Sequence, residues 1–214
     1  MTSRSKEENG DVGADSLAGL LAAAGREFYG RGWVLGTSGN FSAVSSTDPL
    51  RLLVTASGLD KGALTPAHIL EIDEHGEVLK GNGRPSDEAR LHLAVVRARG
   101  AGAVLHTHSV WSTLLSEAFA WEGRLFIEGF EMLKGLAGVR THEHSETLPV
   151  IENSQDMDVL ARALEGALAA CPDAHGVLLR RHGLYTWGRD LQEARRHVEI
   201  LEFLLEVVGR EHFR

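Results

Sequence analysis

Two histidines stand one residue apart in AVLHTHSVW, residues 103–111, within a stretch that otherwise reads as a buried strand. Side chains two apart on a strand face the same way, so His106 and His108 present their rings together while Thr107 points to the opposite face. That spacing suits chelation. Imidazole is the commonest transition-metal ligand, and a catalytic zinc takes three protein ligands while keeping one position open. His182, in LLRRHGLYTWG, is the best third ligand by context: it follows a second apolar strand and precedes a glycine that lets backbone approach closely. A pair this short also admits ordinary histidines satisfied by hydrogen bonds.

Other histidines carry weaker signals. His68, His75, His197 and His212 fall in turn or helix-surface contexts that predict solvated side chains. His92 lies on a helical stretch and reads as core or as support for a ligand. His142 and His144 form another His-x-His pair, in THEHSE, but charged residues flank it, which makes it a decoy for the metal site. A different chemistry is suggested by GTSGNFS (36–42) and TASGLDKG (55–62), turns whose N–H groups and hydroxyls can wrap a phosphate, although such turns also occur without a ligand. Neither segment is a nucleotide-hydrolysing loop or a dinucleotide fingerprint, which removes those readings.

The elements that must position these residues follow from periodicity. Residues 1–14 are polar and aperiodic and predict a flexible tail. A helix is expected from Ser16, its N-cap, to the glycines after Tyr29. NFSAVS, RLLVTAS, HILEID and GEVLK read as antiparallel strands separated by turns at Asp48-Pro49 and His75-Gly76. SDEARLHLAVVRARG is helical with Ser86 as N-cap, AVLHTH is the histidine-bearing strand, and another helix begins near Ser109. Between Arg124 and Pro149 short strands flank EGFEMLKGL, one or two helical turns. SQDMDVLARALEGALAAC is a helix, HGVLLRRHGLYTWG a two-stranded unit turning at His182-Gly183, and the last helix opens on a capping pair, Asp190 and Glu193. No repeat or linker marks a second domain, so residues 15–214 are expected to form one α/β domain.

Charge and composition narrow the partners. With 22 Lys and Arg against 30 Asp and Glu, the net charge is −8, which argues against nucleic acid or an anionic membrane surface but leaves room for a small phosphorylated molecule. Cys171 is the single cysteine, excluding an intramolecular disulfide and favouring a reducing compartment. The opening residues lack the apolar core of a signal peptide, and no apolar run is long enough to span a bilayer, so a cytoplasmic protein is expected.

Taken in order, GTSGN, TASGLDKG, PSDEARLH, VLHTHS and RRHGLYTWG resemble the class II aldolase/adducin family over nearly the whole chain after the tail. GFEMLKG, LPVIENSQD and HGLYTWGRDLQEARRHVEILEFL resemble its sugar-phosphate dehydratase branch rather than its aldolases. The resemblance implies a three-layer α/β/α sandwich around a largely antiparallel sheet, and a homotetramer with active sites near subunit contacts. It implies one zinc per subunit on His106, His108 and His182, and a small sugar phosphate as substrate. Gly39, Asn40, Ser57, Gly58 and Ser86 match phosphate-loop positions, with Lys61 a nearby positive charge. Asp87 stands where aldolases often have a second serine and is left out, because a carboxylate would repel phosphate. Glu131 matches the acid and base of the dehydratases, and Glu88 the glutamate that in aldolases ligates the metal or moves the proton. Two alternatives remain: a zinc aldolase or epimerase acting on another sugar phosphate, and a non-enzymatic, adducin-like interaction module. The second is disfavoured by the three matched histidines and both acidic residues.

Overall fold

Alternating apolar residues build most of the sheet. In the computed structural model, which describes residues 8–214, four consecutive strands pair as antiparallel neighbours: β1 (Asn40–Thr47), β2 (Leu50–Thr55), β3 (Ile69–Asp73) and β4 (Val78–Lys80). The chain then crosses over through helix α2 (Ala89–Arg99) and returns as β5 (Ala103–Thr107) on the other side of β1. After α3 (Val110–Ala118) come β6 (Arg124–Glu128), a 3-10 turn at Glu131–Gly135, and β7 (Ser145–Ile151). Helix α4 (Met157–Ala170) leads to the hairpin β8 (Gly176–Leu179) and β9 (Gly183–Gly188), and α5 (Leu191–His212) closes the fold. The described residues form one nine-stranded sheet in the order β4-β3-β2-β1-β5-β9-β8-β7-β6. Every neighbouring pair is antiparallel except β7 and β8, which are joined through α4 and run parallel.

Strand pleating sends successive residues into different cores. On β2, Leu52 and Val54 join a cluster with α2 and α4, whereas Leu53 packs with α1 (Glu8–Gly30) and the start of α5. Leu178 and Leu184 enter a third cluster with Leu115 of α3 and Leu201, Leu204 and Leu205 of α5. Buried apolar residues therefore cover both faces of the sheet, and β5 and β9 lie at its centre.

Helix starts depart from expectation in two places. Helix α1 begins at Glu8, so Ser16 lies inside it rather than capping it; of the expected tail, residues 1–7 lie outside the described residues. Helix α2 begins at Ala89, and the Ser86 hydroxyl instead accepts from the Glu88 N–H at 3.3 Å in the turn before it. The Asp190 cap agrees with its sequence signal, accepting from Glu193 N at 2.8 Å, and Ser109, near which a helix was expected to begin, proves to be its N-cap, accepting from Ser112 N at 3.0 Å.

Candidate metal centre and active site

His106 and His108 leave the end of β5 on the same side, and the β8–β9 turn brings His182 to them. Two close approaches make this geometry depend on glycine. A Cβ on Gly183 would lie 2.0 Å from the Thr107 carbonyl oxygen, and one on Gly39, at φ 73°, would lie 2.8 Å from that of His106. Arg181 adopts a left-handed φ of 53°, uncommon for a side-chain-bearing residue, and its N–H is held by the Ser116 hydroxyl at 3.0 Å. This tight turn puts His182 over the strand end. Thr107 points away, as the strand period requires, and donates to Glu202 of α5 at 2.5 Å.

The donor set fits a cation. His106 Nδ1 donates to the Leu184 carbonyl at 3.0 Å, and His182 Nδ1 faces Asn153 Oδ1 at 3.3 Å. Each partner takes the ring proton and leaves Nε2 as a lone pair. These Nε2 atoms lie 3.3 Å apart, and His108 Nε2 is 2.7 Å from that of His106. Burial, with the neighbouring imidazoles, pushes His106 well below the usual histidine range. Burial with His182 and Lys61 takes His108 down to about 4, and burial outweighs Glu88 in lowering His182. All three are therefore neutral at pH 7. Converging lone pairs repel one another unless a cation lies between them. Glu88 completes the group, with Oε1 3.3 Å from His182 Nε2; one donor atom from each of the four residues lies within 4.8 Å of all the others.

A cavity of about 200 Å³ opens beside this cluster, and it gathers residues that are distant in sequence. Gly39, Asn40, Ser57, Gly58, Lys61 and Ser86 all line it, together with Glu88 and His108. Thr37, Ser38 and Thr55 join them from the same loop and strand ends. Lys61 is 1% exposed, and its ammonium donates to two carbonyls, Thr37 O at 3.1 Å and Leu59 O at 2.9 Å. Burial lowers its pKa against the pull of Asp60. A buried ammonium whose hydrogen-bond partners are neutral carbonyls is costly unless an anion joins it. Asp87 is exposed and does not line the cavity.

Glu131 is not brought to this cluster by its own chain. Strand β6 pairs Arg124 with Pro149 and Glu128 with Ser145, so it runs towards the end of the sheet opposite Ile151, Leu179 and Gly183. The turn after β6 leaves the Glu131 side chain 74% exposed, bonded to Lys134 at 2.6 Å and 3.9 Å from His142. Its hydrogen bond to Lys134 lowers its pKa. The decoy pair has a different role: His144 Nε2 lies 3.0 Å from Glu146, a buried carboxylate that also holds His175 at 2.9 Å. His197, expected on the surface, is instead 2% exposed and bridges Trp187 O and Ala137 N, because α5 packs it against the sheet. Sequence reasoning passed over Asn153, which fixes the His182 tautomer, and Tyr185, whose ring stacks on His106 at 3.9 Å. LPVIENSQD contains Asn153, but no local pattern ties it to His182.

The model of the class II aldolase and adducin N-terminal domain matches residues 19–208. The methylthioribulose-1-phosphate dehydratase of Methylococcus capsulatus is 42% identical over 94% of this chain and 97% of its own. That of Acidiphilium cryptum is 45% identical over 92% of each. Among solved structures, L-fuculose-1-phosphate aldolase from Thermus thermophilus superposes with a TM-score of 0.74 at 25% identity, over 94% of this chain and 97% of its own.

Proposed function

Because the chain belongs to the class II aldolase and adducin family, we propose that it catalyses the methylthioribulose-1-phosphate dehydratase reaction of methionine salvage. The substrate is 5-methylthioribulose 1-phosphate and the products are 5-methylthio-2,3-diketopentyl 1-phosphate and water. The observation that carries this reading is one cavity shared by the buried ammonium of Lys61 and by Glu88 and His108 of the metal cluster. It offers an anion site and a Lewis-acid site side by side, as a phosphorylated ketose requires.

His106, His108 and His182 would hold the metal, one zinc per subunit, a choice supported by a three-imidazole set with an adjacent carboxylate. When bound, the ion supplies Lewis acidity towards the C2 carbonyl oxygen. Lys61, Ser57 and Ser86, with the Gly39 and Gly58 turns, hold the phosphate. Asn40 lines the same cavity, but its side-chain amide is engaged by His92 and Glu88. A glutamate takes the C3 proton, the electron pair shifts towards the C2 carbonyl, and the C4–O bond breaks. The departing hydroxide leaves as water with the returned proton, and the remaining enol ketonises to the diketone.

Glu88 is the carboxylate beside the centre within one chain. Glu131 serves as acid and base from a neighbouring subunit, which ties its role to the homotetramer. Exposed apolar side chains support a subunit contact, among them Trp121 at 96%, Val110 and Phe126. Cores on both faces of the sheet support a three-layer α/β/α sandwich, with residues 15–214 acting as one catalytic domain. A phosphorylated substrate and one free cysteine fit the cytoplasm, and no helix among the described residues is long and apolar enough to cross a membrane.

The test is to incubate the protein with 5-methylthioribulose 1-phosphate and follow its mass. Loss of one water with the carbon skeleton intact is expected. Release of a short aldehyde would instead assign the aldolase reaction.

A further inference from the structure

Glu88 is held from behind by a line of side chains that the reaction itself does not require. Ser42 of β1 is fully buried, with its hydroxyl 2.7 Å from His92 Nδ1. His92 of α2 is 1% exposed, with Nε2 2.5 Å from Asn40 Oδ1, and Asn40 Nδ2 lies 2.5 Å from Glu88 Oε2. Tyr185 packs edge-on against the His92 ring, with centroids 5.7 Å apart.

Chemistry fixes the direction of each bond. Burial takes His92 down to about 3, so the ring is neutral and carries one N–H. If Asn40 turned its NH2 group to His92, its carbonyl would face the Glu88 carboxylate, acceptor against acceptor. The Ser42 hydroxyl therefore donates to His92 Nδ1, His92 Nε2–H donates to Asn40 Oδ1, and the Asn40 amide donates to Glu88 Oε2. Oε2 accepts from Asn40 and lies 3.8 Å from His106 Nε2, while Oε1 is presented to His182 at 3.3 Å.

We propose that His92, acting through Asn40 and oriented by Ser42, is a positioning residue that sets the rotamer of Glu88 and so holds Oε1 towards His182. This rests on the reading of His106, His108 and His182 as a metal site. It moves the Asn40 side chain from phosphate binding to the support of Glu88.

The test pairs kinetics with a measurement that needs no substrate: cobalt(II) titration of the metal-free protein, read by visible absorption. His92→Phe removes the donor and keeps the ring volume. It is expected to take up cobalt to the wild-type stoichiometry with an altered spectrum, and to lose about 10–100-fold in kcat, the usual cost of losing an outer support, with KM little changed. His92→Gln, whose amide can donate again to Asn40, is expected to recover the spectrum and most of the rate. Asn40→Ala is expected to lower kcat and spare KM. A wild-type spectrum and kcat in His92→Phe would overturn the proposal, as would a raised KM with unchanged kcat in Asn40→Ala. So would joint loss of thermal stability and cobalt uptake that His92→Gln does not repair. If the wild type itself takes up no cobalt, the metal reading fails first and the proposal falls with it.

Discussion

In the proposed reaction, phosphate recognition turns on Lys61. Its ammonium is buried against neutral carbonyls and stays charged at a cost that an incoming phosphate offsets. Lys61→Met keeps the stem and removes the charge. KM for the sugar phosphate should rise at least about tenfold, since hydrogen bonds to charged groups are worth roughly 1.5–3 kcal/mol. Metal content should not change, and the melting temperature of the ligand-free protein should rise. Thermal unfolding alongside kinetics checks both signs; a variant with unaltered KM would remove Lys61 from the phosphate site. At this scale much was legible in the chain. His106 and His108 follow from a period of two and His182 from its glycine, and the Gly/Ser turns around Lys61 carry their own signal. His92 reads from its helix as core or as support for a ligand, whereas Asn153 and Tyr185 were not legible, because their roles exist only once β7 and β9 are laid against β5.

At the scale of elements, β5 and β9 set the centre, and their spacing depends on Gly183. Gly183→Ala would drive a methyl group into the Thr107 carbonyl, so β9 must move off β5. Metal content and melting temperature should fall together, whereas Gly166→Ala, in an open helical position of α4, should leave metal content unchanged and raise the melting temperature slightly. At the other end of the sheet, Glu146 ties β7 to the start of β8 through His175. Burial pushes Glu146 up, but its hydrogen bonds to His175 and His144 win and hold it below 4.5; burial pushes His175 down, but Glu146 holds it above 6.5. The carboxylate's share of stability is present above pH 4.5 and is lost as pH falls through its lowered folded value. The imidazole's share is present below pH 6.5 and is lost as pH rises through its raised folded value. Glu146→Ala should therefore cost most between those values, on the order of 3 kcal/mol for breaking a buried pair, and progressively less outside them. Denaturant unfolding across pH checks this, and metal content should stay constant. The antiparallel strands and the Asp190 cap were legible from alternation and turn residues, but the order of the strands in the sheet was not. The true starts of α1 and α2 were not, because a serine in a polar stretch looks like a cap wherever the helix begins.

At the scale of the whole molecule, the sheet places the histidine cluster at one end and the Glu131 turn at the other, a separation that no local sequence pattern encodes. If Glu131 serves a neighbouring subunit's centre, the Glu131→Gln and His108→Ala proteins should each be nearly inactive alone, while co-expressed mixtures regain turnover. Each mixed assembly can pair an intact cluster with an intact Glu131. Wild-type turnover in Glu131→Gln alone would take Glu131 out of the reaction and leave Glu88 as the proton carrier, and mixtures that stay inactive would contradict a site shared between subunits. In the proposed mechanism water loss depends on a metal at the three histidines. Its most direct test is zinc titration of the metal-free protein while diketone formation from 5-methylthioribulose 1-phosphate is followed. Activity should rise in proportion to zinc and level off near one equivalent per chain in the wild type and in a His142→Ala/His144→Ala double variant, and stay absent in His106→Ala. Full dehydration by metal-free protein, or activity that survives His106→Ala but is lost with the His142 and His144 pair, would contradict it.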